Sequence, residues 1–226
     1  FTGTITMKVD ILKENLKEGL KITERGLGKS LTLPALGSFL IEAKDSFLSL
    51  SSTDLEIGIF WKGLAKVDKE GKVCVPGKIF SDLVYTLQED VLTLEEKEGN
   101  LLIRGKRNET LIKGTSTEEF PTIPSVKEGK KVLIENKEFF SGLRQIISIP
   151  SPSAARVEIS GVYFSISKNC IKVVATDSFR LAEKTISLKE EIKEQIEMIV
   201  PQKTAREILN IFEGRVEKLS ILISPN

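Results

Sequence analysis

No histidine occurs anywhere in the 226 residues. Its absence removes, in one stroke, the commonest general base near neutral pH and the commonest metal ligand. Cysteine is almost as scarce, with Cys74 and Cys170 the only two. Each stands inside an apolar, strand-like run, Val73-Cys74-Val75 and Cys170-Ile171-Lys172-Val173. Both therefore read as small buried core residues in a reducing compartment rather than as a disulfide or a metal site. No apolar run approaches the roughly 18 residues that a membrane span needs, and no secretory leader is recognisable. The expectation is a soluble, cytoplasmic protein with no membrane partner and no cofactor. An excess of either charge is missing too, with 33 Lys and Arg against 32 Asp and Glu, a net charge of +1. That balance argues against a uniformly basic nucleic-acid binder. It leaves room for one basic face, because association depends on where the charges lie.

What is present is ordinary for a folded chain: 40% hydrophobic and 29% charged residues, a composition that does not belong to disorder. The length suits one large domain or two of about 100–120 residues each. A repeat decides for two. A strand from Met7 to Leu12 leads into a helix from Glu14 to Arg25, and Lys131 to Glu135 leads into Lys137 to Ile147. Gly19-Leu20 in the first helix matches Gly142-Leu143 in the second, 123 residues on. Gly37 before Ser38-Phe39-Leu40 matches Gly161 before Val162-Tyr163-Phe164 at an offset of 124. Thr53-Asp54 matches Thr176-Asp177 at 123, and Val75-Pro76 matches Val200-Pro201 at 125. Anchors in the same order at nearly constant spacing mark a duplicated domain.

Each copy reads as strand, helix, several strands, helix, strands. Phe47-Leu48-Ser49-Leu50-Ser51 and Val91-Leu92-Thr93-Leu94-Glu95 alternate with period two, as half-buried strands do. The second helix of each copy carries proline at its first turn, where a missing N–H costs nothing. Ile79, Leu83 and Leu87, and then Ile208 and Phe212, recur every four residues and predict an apolar stripe facing a sheet. The fold class is α+β, with two helices packed on antiparallel sheet in each of two tandem domains. Phe120-Pro121-Thr122-Ile123-Pro124 reads as an extended connector, which places the domains at 7–124 and 125–226. Phe1 to Thr6 reads as non-native or upstream sequence, and the strand-like Leu219 to Ile223 stops at Asn226 without an evident closing element, as in a truncated chain.

Catalytic signals are absent. The carboxylate pairs Glu95-Glu96, Glu118-Glu119 and Glu190-Glu191 read as charge runs of turns and solvated helix ends. No Gly-rich phosphate loop, nucleophile motif or ligand cluster accompanies them. The chain is not expected to be an enzyme.

The repeat, Thr32-Leu33-Pro34 before a strand, the Ser52-Thr53-Asp54-Leu55-Glu56 turn, the Glu119-Phe120-Pro121 linker and Ala175-Thr176-Asp177-Ser178-Phe179-Arg180-Leu181-Ala182 together resemble the bacterial DNA sliding clamp, the beta subunit of DNA polymerase III. The resemblance runs from Met7 to about Asn226. It implies tandem DNA-clamp domains, the first and most of the second of three, closed head-to-tail with a second protomer into a homodimer ring whose helices line the hole. It implies a processivity factor for the replicative polymerase that encircles double-stranded DNA without reading sequence. A non-enzymatic interaction module derived from a truncated clamp is the alternative.

Lys13, Lys17 and Lys21 recur at four-residue spacing on the first helix, a cationic stripe offset from Leu16 and Leu20. The corresponding helix of the second copy carries Lys137 and Arg144, and the remaining helices carry Lys78 and then Lys203 with Arg206. A lysine stripe alone is usually a solvated face. The resemblance turns these helices toward DNA, where flexible cations would touch phosphates without pinning the ring by base contacts. It also points to Lys29, beside Ser30 where the family often has arginine, and to Arg156 in the loop after Pro150. Finally it implies a pocket on the second domain for short peptides of polymerase and clamp-loader subunits, lined by Ile159, Thr176, Ser178, Phe179, Arg180 and Leu181. Ser178 stands where the family usually has glycine, and Phe179 where it has histidine. Read without the resemblance, Asp177 caps a turn and Arg180 pairs with it.

Overall fold

Met7, Val9 and Ile11 alternate inward on β1 (Ile5–Leu12), and the chain turns directly into α1 (Lys13–Thr23). In this computed structural model the residues described are 5–29, 33–106, 108–151, 156–215 and 217–224. Residues 1–4 of the expected non-native start, Ser30 and Thr32 before Leu33, most of the loop after Pro150, and Asn226 lie outside them. The strand begins at Ile5, ahead of Met7, and pairs there with Lys97.

Two compact units, Phe1–Ile123 and Pro124–Asn226, each enclose their own core. In the first, β2 (Ser38–Lys44), β3 (Phe47–Thr53), β4 (Gly58–Leu64) and β6 (Gly71–Pro76) form an antiparallel sheet in the order β4-β3-β2-β6, with β5 (Lys66–Lys69) between β4 and β6 in the chain. α2 (Gly77–Thr86) follows, then β7 (Val91–Lys97), β8 (Asn100–Arg104) and β9 (Glu109–Ile112), which join β1 in a second sheet ordered β5-β1-β7-β8-β9. Both helices pack on the four-stranded sheet. Leu16 and Leu20 of α1, Phe80 and Val84 of α2, and Phe39, Ile41, Leu48, Leu50, Leu92 and Leu94 of the strands meet in one core. Each such side chain contributes about 1.5–3 kcal/mol by leaving water.

The second unit runs β10 (Lys130–Glu135), α3 (Asn136–Ile146), β11 (Gly161–Thr176), β12 (Leu181–Pro201), α4 (Gln202–Phe212) and β13 (Lys218–Ile223). β10 pairs with β13 and β11 with β12, again antiparallel. Where several strands were expected, two long ones cross the unit. Their ladder shifts register around Lys168, whose φ of 49° matches the 54° of Asp45 at the turn between β2 and β3. The bend that separates two strands in the first unit therefore survives inside one continuous strand here.

The helix stripes are met in part. Ile79 is exposed, Leu83 packs at the margin of the core and Leu87 is buried as expected, while Phe80 and Val84 are buried beside it. On α4, Ala205 and Leu209 are buried while Ile208 and Phe212 pack at the margin of the core. Pro76 and Pro201 end their strands as N-caps, one residue before the first turn rather than within it. Nor are Glu95 and Glu96 solvated. They lie on β7 between β1 and β8, and Glu95, 1% exposed, is met by Lys8 at 3.5 Å and Arg104 at 3.6 Å. Cys74 is buried as expected, but Cys170 is half-buried beside the Lys168 bend, and both are free thiols.

The repeated Gly-Leu has a steric reason. Leu20 and Leu143 are fully buried, and the glycine before each lets its helix settle on the sheet. A Cβ at Gly19 would stand 2.6 Å from the Trp61 ring, and one at Gly142 3.1 Å from Ile186 Cδ1 and Lys184 Cγ. Gly19→Ala should therefore cost about 1–3 kcal/mol in urea unfolding, because overpacking against a ring forces backbone to move. Gly142→Ala, facing flexible chain ends, should cost distinctly less.

Candidate nucleic-acid interface and peptide-docking turn

The expected cations fall into two groups once their partners are known. Lys13 opens α1, where Leu12 supplies no side-chain cap and the Lys13 N–H donates to Asp90 O at 2.8 Å. Its Nζ donates to Leu87 O at 2.8 Å, just past the end of α2. A cation there satisfies a helix-terminal carbonyl and the negative end of the helix dipole. Lys13 is thus a clamp between elements rather than a free charge. Lys17 donates to Glu14 Oε1 at 2.9 Å, and that bond holds the Glu14 carboxyl below its ordinary value. Arg144 donates through Nε to Glu213 Oε1 at 3.1 Å and pairs through Nη2 with Oε2, a two-point contact that pushes its own pKa up.

The other group is available. Lys21, Lys29, Lys137 and Arg206 are exposed and meet no carboxylate at ion-pair distance among the described residues. Lys78 pairs with Asp82 at 3.3 Å, but both side chains are largely in water. Such a pair is worth at most about 0.5 kcal/mol, little enough for a phosphate to displace it. Lys203 is exposed in the first turn of α4. Lys137 and Arg144 also share a cleft of about 720 Å³ with Glu135, Glu213, Arg215 and Glu217. Its cations and carboxylates balance, so it is not a sink for an anion.

Thr176-Asp177-Ser178-Phe179-Arg180 joins β11 to β12 as a self-bonded turn. Thr176 Oγ1 donates to Arg180 O at 2.8 Å and accepts the Ser178 N–H at 3.2 Å. Asp177 Oδ1 accepts the N–H groups of Phe179 and Arg180, each at 3.0 Å, and Asp177 Oδ2 accepts Arg180 Nε at 3.1 Å. The turn in the first unit repeats three of these bonds. Leu55 N–H donates to Thr53 Oγ1 at 3.0 Å, and Glu56 and Ile57 donate to Asp54 Oδ1 at 3.0 and 2.8 Å. Leu55 and Ser178 hold the same left-handed φ of 77°. That conformation costs a side-chain-bearing residue about 1–2 kcal/mol and explains why glycine would suit the position.

Ser178 has a use for its side chain. Its hydroxyl accepts Arg156 Nη1 at 3.1 Å, which ties the arginine to the turn. Arg156, expected to face DNA from the loop after Pro150, is thereby bonded to a turn that carries expected peptide residues. The two are 22 residues apart, and no local signal in the sequence announces the bond. Ile159 closes the short 3-10 turn after Arg156 and is half-buried, whereas Phe179 is 98% and Leu181 67% exposed. Val157, which sequence reasoning passed over, is 71% exposed beside them in the chain. A nearly naked phenylalanine on a rigid turn is the kind of apolar surface that a partner covers.

Comparison with known proteins gives the family context. The family model described as DNA polymerase III beta subunit, N-terminal domain, matches residues 7–124, and that of the central domain matches residues 133–226. The chain is 27% identical to the beta sliding clamp of Lactococcus lactis over 96% of its own length and 60% of the relative's. It is 28% identical to that of Synechocystis over 78% of its length and 47% of the relative's. The crystal structure of the DNA polymerase sliding clamp from Bacillus subtilis superposes with a TM-score of 0.93 at 23% identity, over 97% of this chain and 60% of that one. At that identity the likeness is one of fold. The chain spans about 60% or less of the length of these relatives.

Two outcomes follow from the paired turns. Leu55 is 62% exposed, so Leu55→Gly loses little packing and should raise stability by about 1 kcal/mol in urea unfolding, while Leu55→Val should lower it. The Asp177 carboxyl is held below its ordinary value of 3.8, first by the Arg180 N–H and then by the Phe179 N–H. A lowered folded-state value stabilises fully above the ordinary value and is lost as pH falls through the folded one. The stability gap between wild type and Asp177→Ala should therefore be widest near neutrality and narrow below about pH 4.

Proposed function

The chain belongs to the DNA polymerase III beta subunit family, and from that premise we propose that it works as part of a sliding clamp, the non-catalytic processivity factor of the bacterial replicative polymerase. The observation that carries the reading is the family match over both units. Exposed cations on the helices of each unit, Lys21 and Lys78 in the first, Lys137, Lys203 and Arg206 in the second, support it.

These cations, with Lys29, neutralise phosphates of double-stranded DNA lining the hole of a homodimer ring. Phosphate contacts are indifferent to sequence and each is weak in salt, so they break and re-form as the ring translates. Lys13, Lys17 and Arg144, already partnered, shape the helical face more than they bind. Ile159, Thr176, Ser178, Phe179, Arg180 and Leu181 receive short peptides of polymerase and clamp-loader subunits, with Phe179 and Leu181 as the apolar contact. The protein is cytoplasmic on this reading. Among the described residues no helix is long and apolar enough to cross a membrane.

The complete gene product, loaded on a nicked circular plasmid, should withstand a high-salt wash and leave promptly once the circle is linearised. Retention on linear DNA with free ends would contradict sliding. Duplex affinity should separate the two groups of cations. Lys21→Ala combined with Lys137→Ala should reduce the steepness of the log-affinity against log-salt line by about 0.9 for each cation removed. Lys13→Ala should leave that slope alone and lower the unfolding midpoint.

A further inference from the structure

Glu213 stands at an end of α4 that disfavours a negative charge. It is the C-cap of that helix, its N–H donates to Leu209 O at 3.1 Å, and Gly214 follows at a left-handed φ of 73°. A carboxylate there meets the negative pole of the helix dipole, which favours cations. What compensates it lies on another helix. Arg144, in the last turn of α3, donates through Nε to Glu213 Oε1 at 3.1 Å and pairs through Nη2 with Oε2. One guanidinium thus engages both carboxylate oxygens, the arrangement that makes such pairs the stronger kind. Lys78 and Asp82, by contrast, share a single contact of 3.3 Å within one helix. The Arg144 side chain is nonetheless 64% exposed, so solvent reaches the arginine while Glu213 holds it. The pair borders the cleft of about 720 Å³ that Lys137 also lines, and Lys137 meets no carboxylate at ion-pair distance among the described residues.

We propose that Glu213 is an intramolecular counterion that withholds Arg144 from DNA, so that the second unit grips fewer phosphates than its helices carry cations. The inference rests on the sliding-clamp reading and adds to it a residue that attenuates the grip. A phosphate and the Glu213 carboxylate are rivals for one guanidinium, since each can accept two of its N–H groups at once. The carboxylate is tethered at the helix end, whereas a phosphate arrives from solution, so the internal rival has the higher effective concentration. Once released, Arg144 joins Lys137 at the same cleft as a pair of cations open to a phosphate. For a ring that must translate, each cation withheld is one phosphate contact fewer to break at every step.

The test measures the affinity of the complete gene product for a short labelled duplex over a range of salt concentrations, by fluorescence anisotropy. Glu213→Gln should steepen the log-affinity against log-salt line by about 0.9. At low salt it should tighten binding about threefold, as an exposed ion pair allows. Arg144→Ala in the Glu213→Gln background should return the line to that of wild type. Glu213→Asp keeps the charge but shortens its reach, so it should give part of the steepening. Glu217→Gln removes a charge from the same cleft without freeing Arg144 and should leave the slope as it was. A pair that only ties α3 to α4 would answer Glu213→Gln with a lower urea midpoint and an unaltered slope. That result, or a steepening that survives Arg144→Ala, would overturn the proposal. Lys137→Ala separates it from the reading beneath. If that change flattens the line while Glu213→Gln does not steepen it, sliding stands and the attenuation falls; if neither moves the line, both fall.

Discussion

The close seating of a helix on its sheet is the constraint from which the rest of each unit follows. Gly19 under Trp61, and Gly142 over Lys184 and Ile186, remove the side chain that would hold the helix away. Leu16 and Leu20, and Phe139, Phe140 and Leu143, then bury completely in their respective cores. Once that apolar face is committed, the polar residues of the same helix have only the opposite face and the flanks left to them. Sheet packing thus decides which cations reach water. Lys13 and Lys17 find a carbonyl and a carboxylate nearby, while Lys21, in the last turn, is exposed.

Much of this was legible in the sequence because duplication samples the same physics twice. A position that needs glycine for close approach, or threonine and aspartate to bond a turn, needs it in both copies, so the offset of about 123 residues filters such positions from chance. The Thr-Asp turns came through to the level of individual bonds, with Asp177 capping and Arg180 pairing as the residues suggested. What failed did so where one copy had to speak for itself. Ile79 sits at good helical spacing with Leu83 and Leu87, yet Phe80 is the residue inside, where it meets Phe39 of the sheet, a contact that spacing along the helix does not reveal. Glu95 looks like surface when read along the chain. Only its place between β1 and β8 supplies the Lys8 and Arg104 that make burial tolerable.

The candidate site was legible as a set of residues and not as a geometry. Charge spacing picked out the helical cations, but partner identity depends on contacts many residues away, such as Lys13 with Leu87 and Arg144 with Glu213. Likewise the left-handed φ shared by Leu55 and Ser178 is invisible from either side chain, since neither favours it. A backbone imposed by the flanking Thr and Asp bonds outweighs the preference of the residue itself. The same scaffold then carries an inert Leu55 in one unit and an arginine-anchoring Ser178 in the other.

The central claim is that the exposed cations of the helices, and not those of the sheets, are what DNA meets. Lysine acetylation read by mass spectrometry, on the complete gene product free and closed on circular duplex, measures this residue by residue. The account predicts that DNA shields Lys21, Lys78 and Lys137, leaves the strand lysines Lys44, Lys62 and Lys72 as reactive as before, and hardly alters Lys13, which is already engaged. Shielding of Lys44, Lys62 and Lys72 with the helical lysines still reactive would contradict it.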